Sequence, residues 1–106
     1  MVNTTIKRRA HTDYVNHMIR FYFSSPDSLQ VAGHTAADVK NWLSVQAVMA
    51  SLDDQTRELI RELYTSGKSF EDTVREYAGT HGVSVGTVWG TYVRVTTSIA
   101  RERGLI

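Results

Sequence analysis

Cysteine is absent from the 106-residue chain, which rules out a disulfide framework and thiolate metal sites and favours a cytoplasmic setting. Proline occurs once, inside SSPDSLQVAGHT, residues 24–35, a Ser/Pro/Gly-rich connector between two apolar segments. No apolar run approaches the roughly 20 residues that a membrane span requires, and the start, MVNTTIKRRAHTD, lacks the apolar middle of a signal peptide. A soluble chain without a membrane role is expected. Charge of one sign is also missing. Twelve Lys/Arg stand against eleven Asp/Glu, a net charge of +1, so neither a broad basic field nor an acidic tail points to a partner.

What is present is a length that suits one small core and a weak charge asymmetry. Residues 1–50 carry five Lys/Arg against three Asp, and residues 51–106 carry seven against eight acids. The basic excess begins at Lys7, Arg8 and Arg9. Apolar spacing then predicts a series of helices. Tyr14, Val15, Met18, Ile19 and Tyr22 form a stripe over about 12–23. Thr35-Ala36-Ala37-Asp38 has capping-box form and opens a second helix to Ala50, with Val39, Trp42, Leu43 and Ala47/Ala50 expected on its apolar side. Asp53 can cap a third, whose stripe is Leu59, Ile60 and Leu63 and whose terminator is Gly67. Ser69-Phe70-Glu71-Asp72 opens a fourth through Val74, Tyr77 and Ala78, ending near Gly79 or Gly82.

Residues 83–100, VSVGTVWGTYVRVTTSIA, read two ways. Their β-branched and aromatic residues favour strands, and alternate positions make a consistent face for a hairpin. As a helix capped by Ser84, the same stretch places Val85, Val88, Tyr92, Val95 and Ile99 on one inward stripe. A lone hairpin is marginal in water and no third strand is on offer. Val and Thr lose only about 0.5 kcal/mol each in a helix relative to Ala, less than the roughly 1.5–3 kcal/mol that burial of each large apolar side chain returns. A helix over 84–103, ended by Gly104, is the favoured reading, with Gly86 and Gly90 as its weak points.

EYAGTHGVSVGTV, residues 76–88, then has the form of a helix-turn-helix. Ala78 is small where a second helix crosses, Gly82 supplies a left-handed turn, Val83 plugs the corner, Ser84 caps and Val88 returns to the core. A helix that protrudes from such a turn fits the major groove, about 12 Å wide. Residues 52–105 resemble conserved region four of bacterial RNA polymerase sigma factors and their phage-borne relatives. The matching residues are Leu52, Glu76-Tyr77-Ala78, Gly82-Val83-Ser84-Val85, Thr87-Val88 and Arg94. The resemblance implies a sequence-specific transcriptional regulator, of the kind carried by phages or mobile elements, that binds double-stranded DNA, with RNA polymerase as a further partner. The helix from Ser84 would enter the groove. It implies Ser84, Val85, Gly86, Thr87, Trp89, Gly90 and Arg94 as the DNA-facing set; apart from the resemblance, Lys7, Arg8 and Arg9 read either as a phosphate-binding arm of the kind homeodomains carry or as a solvated basic run. Such helices are usually richer in Arg, Lys and Gln than this one, whose only outward cation is Arg94.

Alternatives stand beside each residue. Ser84 is also a plain cap, Arg94 a solvated cation, and Trp89, one step off the stripe, is either core or a contact to a thymine methyl or sugar. The four histidines, His11, His17, His34 and His81, are scattered without zinc-helix spacing, so no metal is expected. Gly86-Thr87-Val88-Trp89-Gly90 lacks the Lys-Ser/Thr of a phosphate loop, and no nucleophile–base set emerges, so neither a cofactor nor enzymatic activity is expected. The expectation is an all-α protein of about five helices. Its two-helix part, residues 1–50, also offers a homodimer surface and packs on a three-helix helix-turn-helix, residues 51–106. The competing class is a protein-interaction module of the same shape, docking through Trp89, Val93 and the flanking glycines.

Overall fold

The computed structural model describes residues 2–24 and 34–106, with side chains from His11 onward. Five helices organise them: α1 (Val2–Ser24), α2 (Ala36–Ser51), α3 (Asp54–Thr65), α4 (Phe70–His81) and α5 (Val85–Arg103). The all-α expectation holds, and the Val/Thr-rich stretch is one helix rather than a hairpin. Most of the Ser/Pro/Gly connector lies outside the described residues. Among the described residues no helix is long and apolar enough to cross a membrane.

Hydroxyl caps begin three of the helices. Thr35, Ser69 and Ser84 each accept the backbone N–H three residues on, from Asp38, Asp72 and Thr87, at 3.1 Å in every case. Asp38 returns the bond to the Thr35 N–H at 3.3 Å, completing the box. Left-handed glycines end the last two helices, Gly82 at φ +67 and Gly104 at φ +84. The fourth helix therefore runs on through Gly79 and stops at Gly82. Arg57 closes the α2–α3 corner, donating from Nε to the Met49 carbonyl at 3.1 Å and from its terminal nitrogen to the Leu52 carbonyl at 2.6 Å. The Met49 carbonyl also accepts the Leu52 N–H at 3.2 Å, so Arg57 reinforces the C-terminal end of α2.

One core joins all five helices. Val15, Met18 and Ile19 of α1 meet Val45, Val48 and Met49 of α2, and Leu59, Ile60 and Leu63 of α3. Val74 and Ala78 of α4 and Val88, Tyr92, Val95, Ile99 and Ala100 of α5 complete it. The N-terminal and C-terminal parts thus share a single interior, with α5 packed against α1, α2 and α4. Two polar clusters tie its edges. Tyr64 and Tyr92 both donate to Asn16 Oδ1, the second at 2.9 Å, linking α3, α5 and α1. Arg103 Nε donates to Asn41 Oδ1 at 2.7 Å, while Asn41 Nδ2 donates to the Tyr14 hydroxyl at 3.0 Å.

Four expectations need correction. First, α1 starts at Val2, not near 12, so Lys7, Arg8 and Arg9 lie on helical backbone. Lys, Arg and Ala have high intrinsic helix propensity, which a search for an apolar stripe overlooks. Second, α2 buries Asn41, Ser44, Val45, Val48 and Met49, whereas Leu43, Ala47 and Ala50 are exposed. The inward side includes two polar residues, tolerable because Asn41 is bonded as above and Ser44 donates to the Lys40 carbonyl at 2.8 Å. Third, Val83 is 41% exposed. The corner is closed instead by backbone bonds, with the N–H groups of Gly82 and Val83 both donating to the Ala78 carbonyl. Fourth, Val85 leaves the inward stripe and is 43% exposed, because it stands in the first turn of α5, past the last residue packed beneath it.

Candidate nucleic-acid interface

The junction between α4 and α5 is three residues, Gly82, Val83 and Ser84. Only glycine takes the left-handed conformation at Gly82 without strain, and Ser84 starts the next helix at once. Val88 and Tyr92 anchor α5 from behind, 2% and 8% exposed. Tyr92 stands edge-on to Phe70 of α4, with ring centroids 5.8 Å apart.

Of the residues expected to face DNA, Ser84, Val85, Gly86, Thr87, Gly90 and Arg94 are all exposed. Gly86, Gly90 and Arg94 follow one another at four-residue steps, so they share the outer side of α5. Trp89 departs from the set. It is half-buried, packs on the core and meets Tyr92 edge-on at 5.8 Å, so it braces the helix with only part of its ring outside. The side chains of Lys7, Arg8 and Arg9 lie outside the described residues.

The chemistry of this surface is sparse. Ser84 Oγ is occupied by the Thr87 N–H and lies 2.8 Å from Thr87 Oγ1. One hydroxyl of the pair donates to the other, which leaves a single O–H free to turn outward. The opening N–H groups of a helix have no partner within it, and the dipole there favours an anion. Arg94 adds the one guanidinium, held by Thr91 Oγ1 at 3.2 Å. Gly86 and Gly90 expose helical backbone: a Cβ at Gly90 would meet nothing within 4 Å, and one at Gly86 only Ser84 Oγ at 3.9 Å.

Sequence reasoning missed a cleft of about 250 Å³ between α3 and α4, lined by Glu58, Glu62, Lys68, Glu76, Tyr77 and His81 among others. Lys68 is tied to Glu76 at 2.8 Å, so the cleft is net acidic. That ion pair holds the Lys68 ammonium above its ordinary pKa. The Glu58/Glu62 pair at four-residue spacing was the available signal. The His81 ring lies against Tyr77, tilted by 38° with centroids 4.1 Å apart, and contacts Gln55 at 2.6 Å, which pins α4 to α3 just before the turn. No family model matches the chain, and neither a curated protein nor a solved structure was found to match it.

Proposed function

We propose that this chain is a non-enzymatic, cytoplasmic transcriptional regulator that binds double-stranded DNA by laying the outer side of α5 in the major groove. The observation that carries the reading is the pair of exposed glycines. Each costs a helix interior about 0.5–1 kcal/mol relative to Ala, and no neighbour in the fold needs the space. A smooth strip of backbone beside the capped first turn suits close approach to an outside surface. The resemblance of residues 52–105 to sigma region four points the same way and adds RNA polymerase as a candidate partner. On this reading Thr87 and the exposed amides of the first turn reach base edges or phosphate, and Arg94 and the Lys7–Arg9 segment neutralise phosphate. The acidic α3–α4 cleft repels phosphate, which supports an approach of DNA from the α5 side.

With so few cations, one copy binds weakly and two copies on adjacent half-sites would double the footprint. Selection of bound fragments from random duplex DNA, followed by titration across salt, tests this. An enriched site is expected, with a logarithmic salt slope of about −2 to −4 per copy. Arg94→Ala should reduce the slope by about 1 and weaken all sequences alike, whereas Thr87→Ala should relax preference at one position. A second reading, docking of another protein, is favoured by the apolar exposure around the glycines: Val83, Val85 and Val93 are 41%, 43% and 56% exposed. Absence of any enriched site, or binding that ignores salt, would decide for it.

A further inference from the structure

We propose that Arg94, Thr97, Ser98 and Arg101 form a phosphate-binding patch on α5, which grips the backbone of duplex DNA beside the bases that the first turn approaches. The inference rests on the DNA-binding reading and adds a second contact region to it. The outer side of α5 does not end at Arg94. Thr97, Ser98 and Arg101 follow it at three, four and seven residues, the spacing that stacks side chains on one face. Val95, Thr96, Ile99 and Ala100, which alternate with them, are all buried, so the patch faces away from the core.

Its polar groups are uncommitted, unlike those around it. A helical Ser or Thr often turns its hydroxyl back to a carbonyl one turn earlier. Thr91 and Thr96 do so, donating to the Thr87 and Tyr92 carbonyls at 3.1 Å each. Thr97 and Ser98, both half-buried, have no hydrogen-bond partner among the described residues. The cations divide in the same way. Arg57, Lys68 and Arg75 are each paired with an acid, and Arg103 is bonded to Asn41. Arg101 is exposed and has no partner among the described residues, and Arg94 has only the Thr91 hydroxyl.

The chemistry selects an oxyanion. Two guanidiniums bracket two hydroxyls, all of them donors that suit phosphate. No Asp or Glu occurs between Ser84 and Arg101, and Glu102, the first acid of α5, lines the groove toward α2 with Lys40 and Leu43. A row of donors about 10 Å long suits successive phosphates of one strand better than a single small anion. Its position agrees. The patch lies about 15–25 Å along α5 from Ser84, farther than the major groove is wide, about 12 Å. With the first turn over base edges, the patch comes down on the phosphates of the rim, where contacts position the protein without reading sequence.

Because phosphate contacts ignore sequence, the test titrates the full chain, at increasing salt, against a labelled duplex of arbitrary sequence and against the site selected from random DNA. Arg101→Ala should lower the logarithmic salt slope by about 1, and the double variant with Arg94→Ala by about 2, equally on both duplexes. Arg101→Lys should restore the slope, since the charge stays. Ser98→Ala should weaken binding about 3- to 10-fold and leave the slope unchanged, because a hydroxyl releases no counterion. Arg61→Ala, at an exposed cation of α3, should alter neither quantity, and urea midpoints of the arginine variants should stay at the wild-type value. A wild-type chain that binds DNA with a slope unmoved by Arg101→Ala, or moved as much by Arg61→Ala, would overturn the patch and leave the DNA reading standing. A chain that binds neither duplex at low salt would overturn both.

Discussion

From Val95 to Ala100, α5 buries four of six residues, whereas from Ser84 to Thr91 it buries only Val88. Both stretches are rich in Val and Thr, residues that weaken a helix standing alone. The inner half persists because it packs against α1 and α2, and the outer half because it continues that anchored rod and is capped by Ser84. A helix of poor intrinsic propensity can thus project a rigid surface, provided that one end is held in a core. The outer half is then free to carry residues chosen for contact rather than for folding.

The largest effect that would sharpen this contrast is Ile99→Ala. Ile99 is fully buried, and its truncation should destabilise the chain by about 2–5 kcal/mol through lost burial and a cavity, read as a lower urea midpoint. Val93→Ala, on the outer side, should stay within about 0.5 kcal/mol. Comparable losses at the two positions would erase the division.

A smaller loss, about 1–3 kcal/mol, is expected for Asn16→Ala, which removes the acceptor shared by Tyr64 and Tyr92 and leaves their hydroxyls only the long 3.4 Å bond to each other. The same cluster confers a pH dependence. Burial, and then the Tyr92 hydrogen bond, push the Tyr64 phenol well above its ordinary pKa near 10. The unfolded chain ionises there while the folded chain keeps the proton, so stability is full below pH 10 and falls as pH rises beyond it. Urea midpoints across pH 8–11 should decline, and Tyr64→Phe should flatten the part of that decline that Tyr64 causes.

Next in size is Gly82→Ala, expected to cost about 1–2 kcal/mol because the left-handed conformation strains any Cβ. It tests the turn without touching the outer surface.

How much of this was legible in advance follows from which interactions are local. Caps and terminators at Thr35, Ser69, Ser84 and Gly104 act within four residues of themselves, so the starts of α2, α4 and α5 and the end of α5 could be read directly, while the end of α4 stayed open between Gly79 and Gly82. The start of α1 could not be read, because neither a capping motif nor an apolar stripe precedes residue 12 in the sequence. The α2 face was read backwards: Asn41 is buried only because Tyr14 and Arg103, 27 and 62 residues away, bond to it, and no periodicity records such partners. At the candidate site, exposure of Ser84, Gly86, Thr87, Gly90 and Arg94 followed from the helical repeat. The inward lean of Trp89 depended on Tyr92, and the acidic cleft on how α3 meets α4.

The one predicted gain in stability is also the most informative about the outer half of α5. Gly90 has ordinary helical geometry and open space where a Cβ would stand, so Gly90→Ala should stabilise the chain by about 0.5–1 kcal/mol. If α5 served only to complete the fold, that variant would be an improvement in every assay. If the strip of bare backbone exists for close approach, a single methyl placed there holds a partner surface away, and binding to a selected DNA site should weaken even as the urea midpoint rises. A rise in both would remove the reason for glycine at this position and, with it, the main support for α5 as the contact helix.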